Sequence, residues 1–152
     1  MRKIESLLDQ LALEVPHIEN LNPSISSVNV GWHIHHSILV ITEIVKSVTN
    51  SDPEKYQTSF NFKKMVVFTL GKFPRGKAPA PNVVKPTQSI QQEDFKALFE
   101  NAKKALSNLE HAKQNQYFVH PIFGKLNVKD TWKMLTIHTQ HHLLIIRDIT
   151  NN

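Results

Sequence analysis

The sequence predicts an all-α protein: a four-helix bundle with one short extra helix and a long proline-rich loop. Apolar residues recur every three or four positions in four long segments, proline-bearing polar stretches separate several of these segments, and no two convincing strands are available to pair. With 152 residues, of which 40% are hydrophobic, the chain is long enough to bury one core. We therefore expect a single domain over residues 1–152.

The first two helices are indicated by apolar stripes that lie between proline and serine signals. In residues 3–15 the stripe has helical spacing, and Pro16 ends it. Serines within residues 24–27 offer N-caps for a long second helix that ends near Val48. The apolar seam of this helix comprises Val30, Ile34, Ile38, Ile41, Ile44, Val45 and Val48.

The middle of the chain predicts a short helix, a loop and a third long helix. Residues 60–71 favour a helix, although residues 66–69 (VVFT) have some strand character. Residues 72–90 are interpreted as a long loop, of a length that is more often functional than idle. Ser89 and Gln92 fit a capping box for the helix that follows. The loop contains Pro74, Pro79, Pro81 and Pro86.

The last helix follows a segment that we interpret as a loop, residues 114–126. Asn127 is its expected N-cap, and Asp130 lies in its first turn, where a carboxylate suits the helix dipole. The helix is expected to run to about Ile149. Its core-facing seam reads Leu135, His138, His142, Ile145 and Ile149.

Histidines within the predicted core indicate a metal site. His138 and His142 are four residues apart, so their Cβ atoms lie about 6 Å apart on one helix face and their rings can share an ion. A third ligand can come from the second helix, where His33 lies at the shoulder of the apolar seam. His36 is the alternative if that helix is rotated. His141, on a neighbouring face, is interpreted as a group at the rim.

Three neutral histidines predict an open, catalytic type of centre. They leave a coordination position for water or substrate, and a divalent ion, zinc or nickel, suits imidazole ligands. The ion could activate a water or a thiol near pH 7. The plain alternative is that these histidines are hydrogen-bonded packing residues. No general acid or base can be named from the sequence.

Composition and charge exclude several other classes of protein. The absence of cysteine rules out disulfides and thiolate ligands. No run of about 18 apolar residues and no signal peptide is present, so we expect a cytoplasmic protein with no membrane partner. The net charge of +5 comes from scattered lysines and arginines. Nucleic-acid binding is therefore the least favoured hypothesis.

Two loops leave their roles open. His120 begins a segment that could line the mouth of the site, whereas its neighbours Phe118 and Phe123 could simply close the end of the bundle; we favour the structural role. Lys72, Arg75 and Lys77 could bind an anionic substrate, although a solvated loop is the favoured interpretation. Trp32 and Trp132 are interpreted as packing residues.

Several motifs resemble the DinB-like superfamily. Residues 138–142 (HTQHH), near the end of the final helix, are similar to the closing motif of that superfamily. Residues 33–37 (HIHHS) extend the likeness to an upstream helix. Residues 120–126 (HPIFGKL), the spacer with Trp132 and the loop at residues 75–77 (RGK) resemble one branch in particular.

The resemblance covers residues 25–149 and is strongest over residues 120–143. It implies a four-helix bundle, often dimeric, with a metal held by three histidines, so we expect a homodimer. In those terms His33, His138 and His142 fall on the three ligand positions.

The activity that the resemblance implies is broad. Characterised members include thiol-dependent transferases and isomerases, and others are classed as metal-dependent hydrolases. We therefore expect a metal-dependent hydrolase or thiol-dependent transferase that acts on a small-molecule substrate, with a thiol co-substrate in the second case. The alternative is a non-catalytic helical bundle that binds a metal or a small ligand. One departure is that Leu143, Leu144 and Ile145 stand where the superfamily usually has arginine and glutamine.

Overall fold

The computed structural model describes residues 3–75, 84–86 and 91–151 as a mostly helical chain with one small two-stranded sheet. The predictions for Gly76, Lys77, Pro79, Pro81 and Ser89 lie outside the described residues. In chain order the elements are α1 (Lys3–Leu13), α2 (Val30–Thr49), α3 (Phe62–Leu70), α4 (Asp94–Glu110), β1 (Tyr117–His120), β2 (Gly124–Asn127) and α5 (Val128–Thr150).

The sheet corrects the prediction that the chain is all-α. β1 and β2 pair as an antiparallel hairpin inside the segment predicted to be a loop. Phe118 lies opposite Leu126 in the register, and both side chains are buried. Each strand has only four residues, which is too short for an alternating pattern to stand out in the sequence. The strands form because their inward-facing side chains reach the helical core.

Asparagines, more than serines, define where the helices begin. Asn29, not the serine cluster, caps α2: its Oδ1 accepts a hydrogen bond from the Trp32 N–H at 2.9 Å. This corrects the predicted start. The expected cap of α5 is confirmed, since Asn127 Oδ1 accepts from the N–H of Asp130 at 3.0 Å. Asn and Ser are equally good N-cap residues, so residue type alone does not choose between them.

The first and third helices end or begin close to their predicted bounds. The predicted stripe over residues 3–15 continues past α1 into a 3-10 turn that contains Pro16. The short helix predicted over residues 60–71 is confirmed as α3, and Gly71 ends it with a φ of 63°. Glu93, at the start of α4, makes no side-chain capping bond.

The packing of four helices forms a closed cycle, since α2 packs on α4 and α5, and α1 packs on the same two helices. α3 also contacts α5. None of the helices within the described residues combines the length and apolar character that crossing a membrane requires. Because α2 and α5 are direct neighbours, the histidines predicted on their inner faces can meet. The side chains with less than 2% exposure include Ile4, Leu8, Leu11, Ile34, Ile38, Ile41, Phe95, Leu109, Met134, Leu135 and Leu143.

Candidate metal centre

Three histidines from α2 and α5 converge inside the helical core. One ring nitrogen from each of His36, His138 and His142 lies within 4.8 Å of those of the other two. The ring centroids are 4.7 Å apart for His36 and His142, and 4.6 Å apart for His138 and His142. His36 and His142 are only 3% and 8% exposed. The pair that the sequence predicts on α5 therefore faces a histidine of α2.

His33, our first choice for the third ligand, lies beside this group. Its Nδ1 is 2.9 Å from Nδ1 of His142, and its Nε2 is 3.0 Å from Oγ of Ser26. His36, the stated alternative, is the α2 residue that the geometry brings to both histidines of α5. Residues three apart on a helix share a face, so small rotations of α2 decide which of the two approaches α5 more closely, and the sequence does not specify such rotations.

The ring of His36 is oriented by a backbone carbonyl. Its Nδ1 lies 2.6 Å from the oxygen of Val84. A carbonyl can only accept a hydrogen bond, so Nδ1 carries the hydrogen and Nε2 keeps its lone pair. Histidines that bind metals are commonly held in this way by their second nitrogen. Val84 was not predicted, because every residue has a backbone carbonyl and the sequence does not mark the one that lies near His36.

His138 carries a buried polar atom that no described residue pairs with. Its Nδ1 is buried and has no hydrogen-bond partner among the described residues, and the same is true of Oγ1 of Thr139. Leaving a buried polar group unpaired costs about 1–3 kcal/mol. A cation bound between the histidines would supply the missing partner. The residues present therefore fit a divalent ion bound through neutral nitrogen donors.

The surroundings keep the three imidazoles neutral. Burial lowers the pKa of His138 and His142 well below 6.5, and the neighbouring histidines lower it further. Burial also lowers the pKa of His36, although its hydrogen bond to Val84 acts in the opposite direction. Near pH 7 the three rings are thus uncharged, which is the form that binds metals.

Aromatic side chains enclose the group. The indole of Trp32 stacks on the ring of His36 with 4.8 Å between centroids. The ring of Phe73 stands edge-on to His138 and to His141, each at 6.1 Å. His141 is half-buried beside His142. These contacts place the predicted packing residue Trp32 and the predicted rim residue His141 next to the three histidines.

The hairpin and the residues just after α3 also approach this region. His120 stacks on Phe123 at 4.3 Å, and Phe123 stacks on Phe73 at 6.0 Å. Nη1 of Arg75 forms an ion pair with Oδ2 of Asp148 at 2.6 Å. Its charge is therefore already partnered by α5, while Lys72 is exposed. The contacts of His120 and Phe123 agree with the structural role that we favour for this turn.

Comparison of the chain with known protein families, with curated proteins and with solved structures finds no match.

Proposed function

We propose that this protein is a metal-dependent enzyme, a hydrolase or a thiol-dependent transferase, whose divalent ion is held by His36, His138 and His142. The observation that carries the proposal is that the buried Nδ1 of His138, next to two other neutral imidazoles, has no hydrogen-bond partner within residues 3–75, 84–86 and 91–151. The three histidines come from two packed helices, and their ring nitrogens lie within 4.8 Å of one another.

Zinc or nickel is the ion that we propose, because both suit imidazole ligands. An ion with three protein ligands keeps an open position, where it can lower the pKa of a water or of a thiol and so supply a nucleophile. The chain's own residues hold the neutral rings in place through Val84 and His33. Trp32 and Phe73 contact the rings of His36 and His138, and we propose that they form the apolar part of a site for a small-molecule substrate.

The architecture and family belong to the same proposal. The closed packing cycle of α1, α2, α4 and α5 supports a four-helix bundle with an added hairpin. The sequence of residues 138–142 supports a DinB-like protein, and with it a homodimer. The lack of cysteine supports a cytoplasmic location.

Metal analysis of untagged protein tests the centre. We expect one ion per chain in the parent protein and in a His35→Ala variant, since His35 is half-exposed and lies outside the group. We expect none in the double variant His138→Ala/His142→Ala. A parent protein without bound metal, or a double variant that keeps it, contradicts the proposal.

Activity assays separate the enzyme from a non-catalytic binder. Metal-loaded parent protein and the same double variant are compared in hydrolysis and thiol-transfer assays with panels of small substrates. A rate that depends on the histidines supports catalysis. If the parent protein binds the ion but its rates equal those of the double variant, the non-catalytic metal-binding bundle is the remaining explanation.

A further inference from the structure

A hydrogen-bonded chain leads from the candidate metal centre to the segment before α2. Nδ1 of His142 lies 2.9 Å from Nδ1 of His33, and Nε2 of His33 lies 3.0 Å from Oγ of Ser26. The hydroxyl oxygen of Ser26 also accepts the backbone N–H of Val28 at 3.2 Å. His33 is only 4% exposed, so its two ring nitrogens need His142 and Ser26 as hydrogen-bond partners in place of water.

The hydrogens of this hydrogen-bonded series, from His142 through His33 to Ser26, can be arranged in two ways, which we call the first and the second order. Two ring nitrogens that face each other at hydrogen-bond distance share a single hydrogen. In the first order His142 donates from Nδ1 to His33, and His33 donates from Nε2 to Ser26. In the second order Ser26 donates to His33, and His33 donates from Nδ1 to His142. A neutral His142 then carries its own hydrogen on Nε2.

Only the first order leaves Nε2 of His142 able to bind an ion. We propose that Ser26 and His33 are positioning residues that hold His142 with its hydrogen on Nδ1 and so present its Nε2 lone pair to the metal. The inference rests on the proposed metal centre, in which His142 is a ligand.

The two neighbouring ligands differ in how their hydrogens are placed. His36 faces a carbonyl, which fixes its hydrogen on Nδ1 permanently. His142 faces His33. Which ring nitrogen of His33 carries the hydrogen depends in turn on the hydroxyl of Ser26, which can both donate and accept. Whether the Nε2 lone pair of His142 is available to the ion therefore depends on His33 and Ser26, which do not contact the ion.

Zinc affinity tests the inference through four variants. The dissociation constant is measured by competition with a chromophoric chelator for His33→Leu, His33→Asn, Ser26→Ala and the control Ser27→Ala, an exposed neighbour. Leucine removes the acceptor, so we expect about 10- to 100-fold weaker binding. Asparagine keeps an oxygen near the position of Nδ1 and should stay closer to the parent. Thermal melts of the metal-free variants show that each is folded.

The position of the hydrogen gives a second readout. In zinc-loaded protein with ¹⁵N-labelled histidine, NMR should show His142 protonated on Nδ1 and His33 protonated on Nε2. Hydrogen on Nδ1 of His33 overturns the inference.

The outcomes separate this inference from the proposed function. A parent protein that binds no zinc removes the metal centre and the inference with it. A parent that binds one zinc, with His33→Leu binding it equally tightly, removes the inference alone. Loss of the ion in both His33 variants, with retention in His36→Leu, makes His33 a ligand and also overturns it.

Discussion

Two partly buried histidines, His120 at the end of β1 and His138 in α5, differ in their hydrogen bonding. Burial lowers the pKa of both, that of His120 to about 4. Nδ1 of His120 accepts the backbone N–H groups of Ile122 and Phe123 at 3.1 and 3.2 Å. Nδ1 of His138 accepts nothing from the described residues.

Burial and a lowered pKa therefore do not by themselves identify a metal ligand. Both properties follow whenever an imidazole is removed from water. What distinguishes the two residues is whether the protein already uses the neutral nitrogen. Nδ1 of His120 holds a turn through its two hydrogen bonds, while Nδ1 of His138 has no partner in the part of the chain that the structure describes. Variants of His120 are therefore matched controls for variants of His138.

The largest expected effect is the loss of stoichiometric zinc in His138→Leu, with one zinc per chain retained in His120→Leu. The metal-free His138→Leu protein should unfold at least as cooperatively and at no lower temperature than the parent, because the variant removes an unpaired buried nitrogen. Elemental analysis and thermal melts measure both. Retained zinc in His138→Leu would break the comparison.

The next effect is on the pH dependence of the metal-free protein. The folded pKa of His120, about 4, is below its unfolded value of 6.5, so the unfolded chain binds more protons between these values. The contribution of neutral His120 to the free energy of unfolding is therefore fully present above pH 6.5 and is lost as the pH falls through 4. It amounts to at most about 3 kcal/mol.

His120→Asn isolates this contribution, because asparagine keeps an acceptor oxygen and does not titrate. Urea unfolding at pH 7 and pH 4.5 should show a smaller loss of unfolding free energy in the variant than in the parent. Equal losses would mean that His120 is not the titrating group.

Metal binding should stabilise the folded chain by a predictable amount. At a zinc concentration 100 times the dissociation constant, the free energy of unfolding rises by about 2.7 kcal/mol. The parent protein and His120→Asn should gain equally, and His138→Leu should gain nothing. Differential scanning calorimetry with and without zinc measures the gain. A gain in all three proteins would place the ion elsewhere.

The smallest effect concerns the turn itself. His120→Leu leaves two backbone N–H groups without their acceptor, so we expect a loss of about 1–2 kcal/mol at pH 7. His120→Asn should lose less, because its side-chain oxygen can accept the same two bonds. Urea unfolding compares the two variants. Equal losses would assign the effect to the stacking of His120 on Phe123 instead.

The hairpin shows why part of the fold escapes prediction. The apolar stripes of α2 and α5 are long enough to show a helical period, and Asn127, the cap of α5, is recognised by its residue type and position. Tyr117–His120 has four residues, and its assignment as a strand depends on Leu126 lying opposite Phe118. That pairing is a contact between segments, which local pattern does not contain.

The amino-acid order by itself determined that His138 and His142 share an inward face of a helix, because a spacing of four residues and an apolar seam fix that geometry. That His36 completes the group, and that Ser26 and His33 form a hydrogen-bonded chain to His142, depends on how the helices pack. The physical reason is that the rotation of α2 against α5 is set by the packing of the whole core. A small rotation of α2 therefore determines whether His33 or His36 lies closest to both histidines of α5, and such a rotation does not change the helical spacing of the sequence.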